Sequence, residues 1–283
     1  MAAPSGRSRG PFTPESLLEV VLLSSASKPR RDEPAAKFLA RQTHLHLHGR
    51  RLRSAALPAG TCNGLRTLYL YDNEIEALEG IGSLPQLTHL YAQNNHISHI
   101  GGDIGGLKSL RKLYLNGNCL TSLAPLAPLA GLEELHASSQ RLPPGTMLDV
   151  APNALAQMPA LRVLALANNQ LQTTEALAVC RALETVDLSK NELRGIKSVS
   201  ALITASPLVD IDLRENEVSD SRQDCDAIIV ACPTLVRLNS RELSQSERPF
   251  LQQLHMRGKR PHTFANDEVG PGPAQGPAAA PSM

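Results

Sequence analysis

Tryptophan is absent from this 283-residue chain, and aromatic residues make up only 3% of it. A core assembled around large rings is excluded, so leucine, isoleucine, valine and alanine must supply the packing. Neither sign of charge is in excess: 28 Lys and Arg stand against 27 Asp and Glu, a net charge of +1. That balance gives no global field toward nucleic acid or an anionic membrane. No stretch reaches the ~20 apolar residues of a membrane span. The run LLEVVLL at 17–23 is interrupted by Glu19 and lacks a small-residue cleavage site. The five cysteines (Cys62, Cys119, Cys180, Cys225 and Cys232) are odd in number and form no C-x-x-C pair, which points to a reduced, intracellular compartment. No P-loop, G-x-S-x-G, paired metal-ligand cysteines or H-E-x-x-H occurs. No enzyme activity, cofactor or metal is therefore expected.

What is present is a repeat. Leu65 to Ile75 reads LRTLYLYDNEI and fits the template L-x-x-L-x-L-x-x-N-x-L of leucine-rich repeats. The template returns at Leu87, Leu110, Leu161, Leu183 and Leu208, with weaker copies at Gln42 and Leu132. The ninth places are Arg50, Asn73, Asn95, Asn118, Gln140, Asn169, Asn191 and Asn216, separated by 22 or 23 residues except for steps of 29 and 25. Eight matches at this period predict one α/β solenoid, a horseshoe with a parallel concave sheet and a 3₁₀ or irregular convex side. The three-residue apolar beat of Ile75, Leu78, Ile81 and Leu84, with Pro85, Pro125, Pro128 and Pro159 nearby, disfavours long convex helices.

In chain order, residues 1–12 are expected to be disordered and 13–41 to form a helical cap, opened by Thr13, Pro14 and Glu15. About eight repeats fill 42–234, a second cap follows at 235–260, and 261–283 reads as a disordered tail rich in Pro, Gly and Ala. The 29-residue step holds QRLPPGTMLDVAPNALAQM, an insertion expected to loop out of the stack because the register resumes at Leu161.

Alternation along each strand sends the template leucines inward and the intervening residues onto the concave face. The fifth places are His46, Tyr69, Tyr91, Tyr114, His136, Ala165, Asp187 and Asp212; the seventh include His48, Tyr71 and Gln93. All four tyrosines of the chain fall on this face. Such a cluster suits a protein-binding hot spot, the alternative being rings that stack across strands to hold the sheet. The far half is expected to be acidic through Glu184, Asp187, Asp210, Asp212 and Glu215, moderated by Lys190 and Arg214, which suits a partner with an apolar patch beside a basic one, the alternative being a solvated rim of charges. His44, His46 and His48 alternate to one side, but no Cys or carboxylate joins them at a ligand spacing, so they read as a hydrogen-bonding surface. The basic runs at 28–31 and 257–260 lack interleaved aromatics and read as solvated linkers.

Four motifs carry a family resemblance: LYLYDN at 68–73, LTHLYAQNN at 87–95, LYLNGN at 113–118, and ELH…QRLPPG across 134–145. Over about residues 13–255 the chain resembles the 22-residue-repeat class of leucine-rich proteins that includes regulatory subunits of protein phosphatase 1. The resemblance implies a non-enzymatic subunit, monomeric before partner binding, that engages the phosphatase catalytic subunit at microtubule-organising structures of the cytoplasm such as the centrosome. A structural adaptor for tubulin-related or centrosomal proteins is the second reading, and neither involves nucleic acid or membrane. A basic–Val–x–Phe docking motif is missing, since Phe12, Phe38, Phe250 and Phe264 lack Val or Ile two places earlier. The resemblance thus carries docking onto His46, Tyr69, Tyr71, Tyr91, Tyr114, His136, Glu184, Asp187, Asp212 and Glu215.

Overall fold

The computed structural model describes residues 12–23 and 28–258. The readings of disorder at 1–11 and in the tail 261–283 lie outside the described residues.

Each L-x-L becomes a three-residue strand. They are β1 (His44–His46), β2 (Thr67–Tyr69), β3 (His89–Tyr91), β4 (Lys112–Tyr114), β5 (Glu134–His136), β6 (Val163–Ala165), β7 (Thr185–Asp187) and β8 (Asp210–Asp212). All eight are parallel and pair place for place, and a short β9 (Arg237–Leu238) extends the sheet before β10 (Arg241–Glu242) closes it antiparallel. The middle residue of each of the eight strands, from Leu45 to Ile211, is at most 1% exposed. Stacking merges these side chains into one continuous core.

The ninth place supplies what holds successive turns together. Asn73 Nδ2 donates to Leu47 O at 2.9 Å and Leu70 O at 2.7 Å, while its Oδ1 accepts from Arg50 N and Leu52 N. One buried amide thus satisfies backbone groups from two neighbouring repeats where the strand ends, and Leu70 O takes a second donor, Asn95 Nδ2, from the next repeat. Gln140 does the same one methylene longer, donating to Leu115 O and Ala137 O and accepting from Leu120 N. Just before each ninth place the chain turns left-handed: Gly49, Asp72, Asn94, Gly117, Ser139, Asn168, Lys190 and Glu215 have φ between +54° and +68°. Only two of these are glycine, so the repeat tolerates a conformation that L-residues disfavour by about 1–2 kcal/mol each.

The convex side changes along the array. Through the early repeats it is irregular or 3₁₀, with Gly102–Gly106 and Ala124–Leu126 as short turns and Ala77–Leu78 paired to His99–Ile100. In the last repeats it becomes α-helical. The 25-residue step from Asn191 to Asn216 leaves room for a helix at Lys197–Ala205, and Arg222–Ala231 follows in the next unit. The insertion in the fifth repeat does not loop out as expected. Asp149 bridges Ser122, with Asp149 N donating to Thr121 O at 2.9 Å, and Leu148, Val150, Leu155 and Met158 are buried. Apolar residues at that spacing line the convex side instead, and the longest exposed run is Pro143 to Met147.

At the amino-terminal end α1 (Pro14–Leu22) begins in a capping box, Ser16 N donating to Thr13 Oγ1 at 3.2 Å and Thr13 N to Ser16 Oγ at 2.9 Å. Phe12, placed by the sequence in the disordered segment, is buried at 8% exposure. It takes the place before the N-cap and Leu17 the fourth helical place, the two positions of a hydrophobic staple. Together with α2 (Ala35–Ala40) these side chains join the solenoid core at its first repeat. At the other end α3 (Glu247–Gly258) is tied down by Arg248, whose Nε donates to Ile229 O at 3.0 Å.

Candidate protein-docking face

Register carries the fifth-place residues into one line. His46, Tyr69, Tyr91, Tyr114 and His136 sit on β1 to β5 at paired positions. Their rings stack in succession with centroids 4.5, 4.9, 4.6 and 4.5 Å apart and planes within 15° of parallel. A shorter stack runs beside it, His48 on Tyr71 at 4.6 Å, meeting the first edge-on through Tyr69. The strand spacing of ~4.8 Å is close to the distance at which offset rings attract, so the sheet imposes the stack.

The stack changes what the face offers. Each of these tyrosines and histidines is half-buried rather than fully exposed, because its faces lie against its neighbours. Both sequence readings thus hold a part: the rings do stack across strands, and their edges and hydroxyls line the hollow. Tyr69, Tyr71, Tyr91, Gln93, Asn94 and Asn116 surround a shallow depression there. Gln93 Oε1 and His48 Nδ1 are buried in this region with no hydrogen-bond partner among the described residues.

One residue at the heart of the ladder was missed by the sequence reading. Glu134, at a third place, accepts from Tyr114 Oη and His136 Nε2 and pairs with Lys112 Nζ, each at 2.7 Å. Burial works against its charge, but the hydrogen bonds from Lys112, Tyr114 and His136 outweigh it and hold the carboxyl at about 2. Burial, and then the bond to this carboxylate, push the Tyr114 phenol up. Burial likewise lowers His46, helped by His48 and His44. A glutamate in a column of His, Thr and Lys gave no periodic signal, and only the register shows that it lies beside both rings.

Because the folded value of Glu134 is depressed, its contribution to stability is present above the ordinary glutamate value of about 4.3 and is lost as pH falls toward about 2. Glu134→Gln is expected to cost about 1–2 kcal/mol at neutral pH. Urea melts of both proteins should converge as the solution is acidified through that window.

The acidic half requires correction. Glu184 pairs with Arg162 at 3.0 Å, Asp212 with Arg214 at 2.5 Å, Glu215 with Lys190 at 3.5 Å and Asp210 with Arg237 at 2.7 Å. Each cation comes from the same or an adjacent repeat, so this end is a lattice of ion pairs rather than a bare negative surface. Asp187 is the exception: among the described residues no cation pairs with it, and its Oδ1 accepts from Ser189 N and Oγ. Between the halves Ala165 and Ala167 lie low, 7% and 9% exposed.

The five cysteines are free thiols. Among the described residues no helix is long and apolar enough to cross a membrane.

Comparison with known proteins matches a leucine-rich-repeat family pattern to residues 35–146. A stretch of 104 residues is 33% identical to the centrosomal protein of 72 kDa of Mus musculus, covering 36% of this chain and 16% of that protein. The chain thus spans about one sixth of the length of this relative. Two internalins of Listeria monocytogenes share the architecture at 22% identity. InlF aligns with a TM-score of 0.60 over 85% of this chain and 66% of its own, and InlC2 with 0.58 over 78% and 91%. Repeat unit, sheet and these likenesses agree on the fold: the chain is a leucine-rich-repeat horseshoe.

Proposed function

We propose that this chain is a non-enzymatic regulatory or targeting subunit that docks the catalytic subunit of protein phosphatase 1 on its concave face. The observation that carries the reading is the five-ring ladder, with ring edges and hydroxyls lining a hollow built on rigid strands. Leucine-rich-repeat scaffolds are suited to protein binding, and pre-ordered rings contribute contact area at little entropic cost. The choice of phosphatase rests on the motif resemblance to its leucine-rich regulatory subunits, subunit 42 among them, including the QRLPPG insertion. Placement in the cytoplasm at the centrosome or another microtubule-organising structure is supported by the likeness to the centrosomal protein of 72 kDa. That same likeness favours a second reading, an adaptor that binds tubulin-related or centrosomal proteins without the phosphatase.

Retention on immobilised phosphatase catalytic subunit separates the two. Wild type is expected to be retained, and Tyr91→Ala combined with Tyr114→Ala to be lost, at about 1–3 kcal/mol of binding per ring. Because each ring is stacked on its neighbours, the double variant is also expected to lose about 0.5–1.5 kcal/mol of folding stability per broken pair. Tyr91→Phe and Tyr114→Phe keep the stack and serve as the folded comparison. Retention by tubulin complexes alone would select the adaptor.

A further inference from the structure

The ladder stops at His136. Tyr114 covers one face of that imidazole at 4.5 Å, and no ring among the described residues covers the other. The next rung is Ala165, in register with His136 on one side and Asp187 on the other. Every earlier strand of the array carries a ring at this place; here a methyl group occupies only the floor. His136 and Asp187 stand two strand steps apart, about 9–10 Å. Since the rings of the ladder follow one another at 4.5–4.9 Å, one flat group fits midway.

The far wall is prepared for a cation. Ser189 fixes Asp187 through Oδ1, at 3.0 Å from its N and 2.7 Å from its Oγ, which leaves Oδ2 without a hydrogen-bond partner among the described residues. Arg214, the cation that feels this carboxylate, is held by Asp212 through Nε and Nη2. The other acids of this half are already paired.

We propose that the slot over Ala165 receives an arginine side chain of the docked protein, its guanidinium flat against the open face of His136 and hydrogen-bonded to Asp187. This deepens the concave-face reading and rests on it. A planar cation satisfies both walls at once, whereas a lysine ammonium can meet the carboxylate but has no plane to stack. Glu134 holds the His136 ring in place through Nε2 at 2.7 Å.

The test needs no phosphatase, so its failure is separable from failure of the pull-down. The ring signals of His136 are followed by NMR while N-acetylarginine methylamide is added, beside the neutral citrulline analogue and the lysine analogue. Arginine is expected to give a saturable shift on the order of tens of millimolar, the strength that two weak contacts sustain. Its apparent affinity should exceed that for citrulline and lysine by about three- to tenfold. Asp187→Asn should reduce arginine to the citrulline level, and Ala165→Leu, which fills the slot, should abolish the shift. A non-saturating shift, equal affinity for arginine and citrulline or for arginine and lysine, or an unchanged response in Asp187→Asn would overturn the proposal.

Discussion

Asn118→Ala is expected to destabilise the solenoid by about 3–5 kcal/mol, more than any single change on the concave surface. The amide is 0% exposed. Its Nδ2 donates to Ala92 O at 2.9 Å and Leu115 O at 2.8 Å, and its Oδ1 accepts from Ile97 N at 3.0 Å. Alanine leaves Ile97 N unpaired where water does not reach, a penalty of about 1–3 kcal/mol, and removes one of two donors from Ala92 O and Leu115 O, which keep Asn95 and Gln140, at about 0.5–1.5 kcal/mol each. The damage is shared by two repeats, because the bonds cross from one turn of the solenoid to the preceding one. Asn118→Gln should lose much less, since Gln140 performs the same office in the next repeat. Urea denaturation followed by circular dichroism compares the three proteins. If alanine cost no more than glutamine, the amide ladder would not be what joins the turns.

Leu113→Ala is the second large effect, expected at about 2–5 kcal/mol. Leu113 is the middle residue of β4, 0% exposed, with Leu90 and Leu135 at the same register on either side. Truncation opens a void in a core that runs unbroken through the array, and three-residue strands on both flanks restrict collapse around it. Its chain neighbour Tyr114 points the other way. A loss at Leu113 without matching loss of partner binding per folded molecule separates the inward from the outward side of one strand by thermal or chemical melts.

Much of this was legible in the residues. A period-two alternation inside a 22-residue period sets both which side chains face inward and which columns share the hollow, so the tyrosines could be placed on one face from spacing alone. What spacing does not carry is how side chains in a column treat each other. For Tyr69, Tyr91 and Tyr114 the sequence leaves open whether the rings are exposed or stacked across strands, and strand spacing presses them into a stack that leaves only edges outward. The moderation of the acidic end by Lys190 and Arg214 is legible in the residues, but the pairing of Glu184 with Arg162 from the preceding repeat is not. Pairing of this kind depends on long side chains crossing between repeats, which a column-by-column reading ignores. The convex side also departed from its proline-based expectation in the last repeats, where extra residues and no interrupting proline let a full helix form at Lys197–Ala205. The insertion was misjudged for a related reason: its length was noted, but the burial demanded by Leu148, Val150, Leu155 and Met158 was not.

The central claim is that the partner meets the ring edges of the concave face. Hydroxyl-radical footprinting of the chain, alone and with the phosphatase catalytic subunit bound, tests it directly. The account predicts that oxidation of Tyr69, Tyr91 and Tyr114 falls on binding, while Met147, 52% exposed in the fifth-repeat insertion, reacts as before. Unchanged reactivity of the three tyrosines, with protection moved to Met147 or to Phe250 on the last helix, would contradict it.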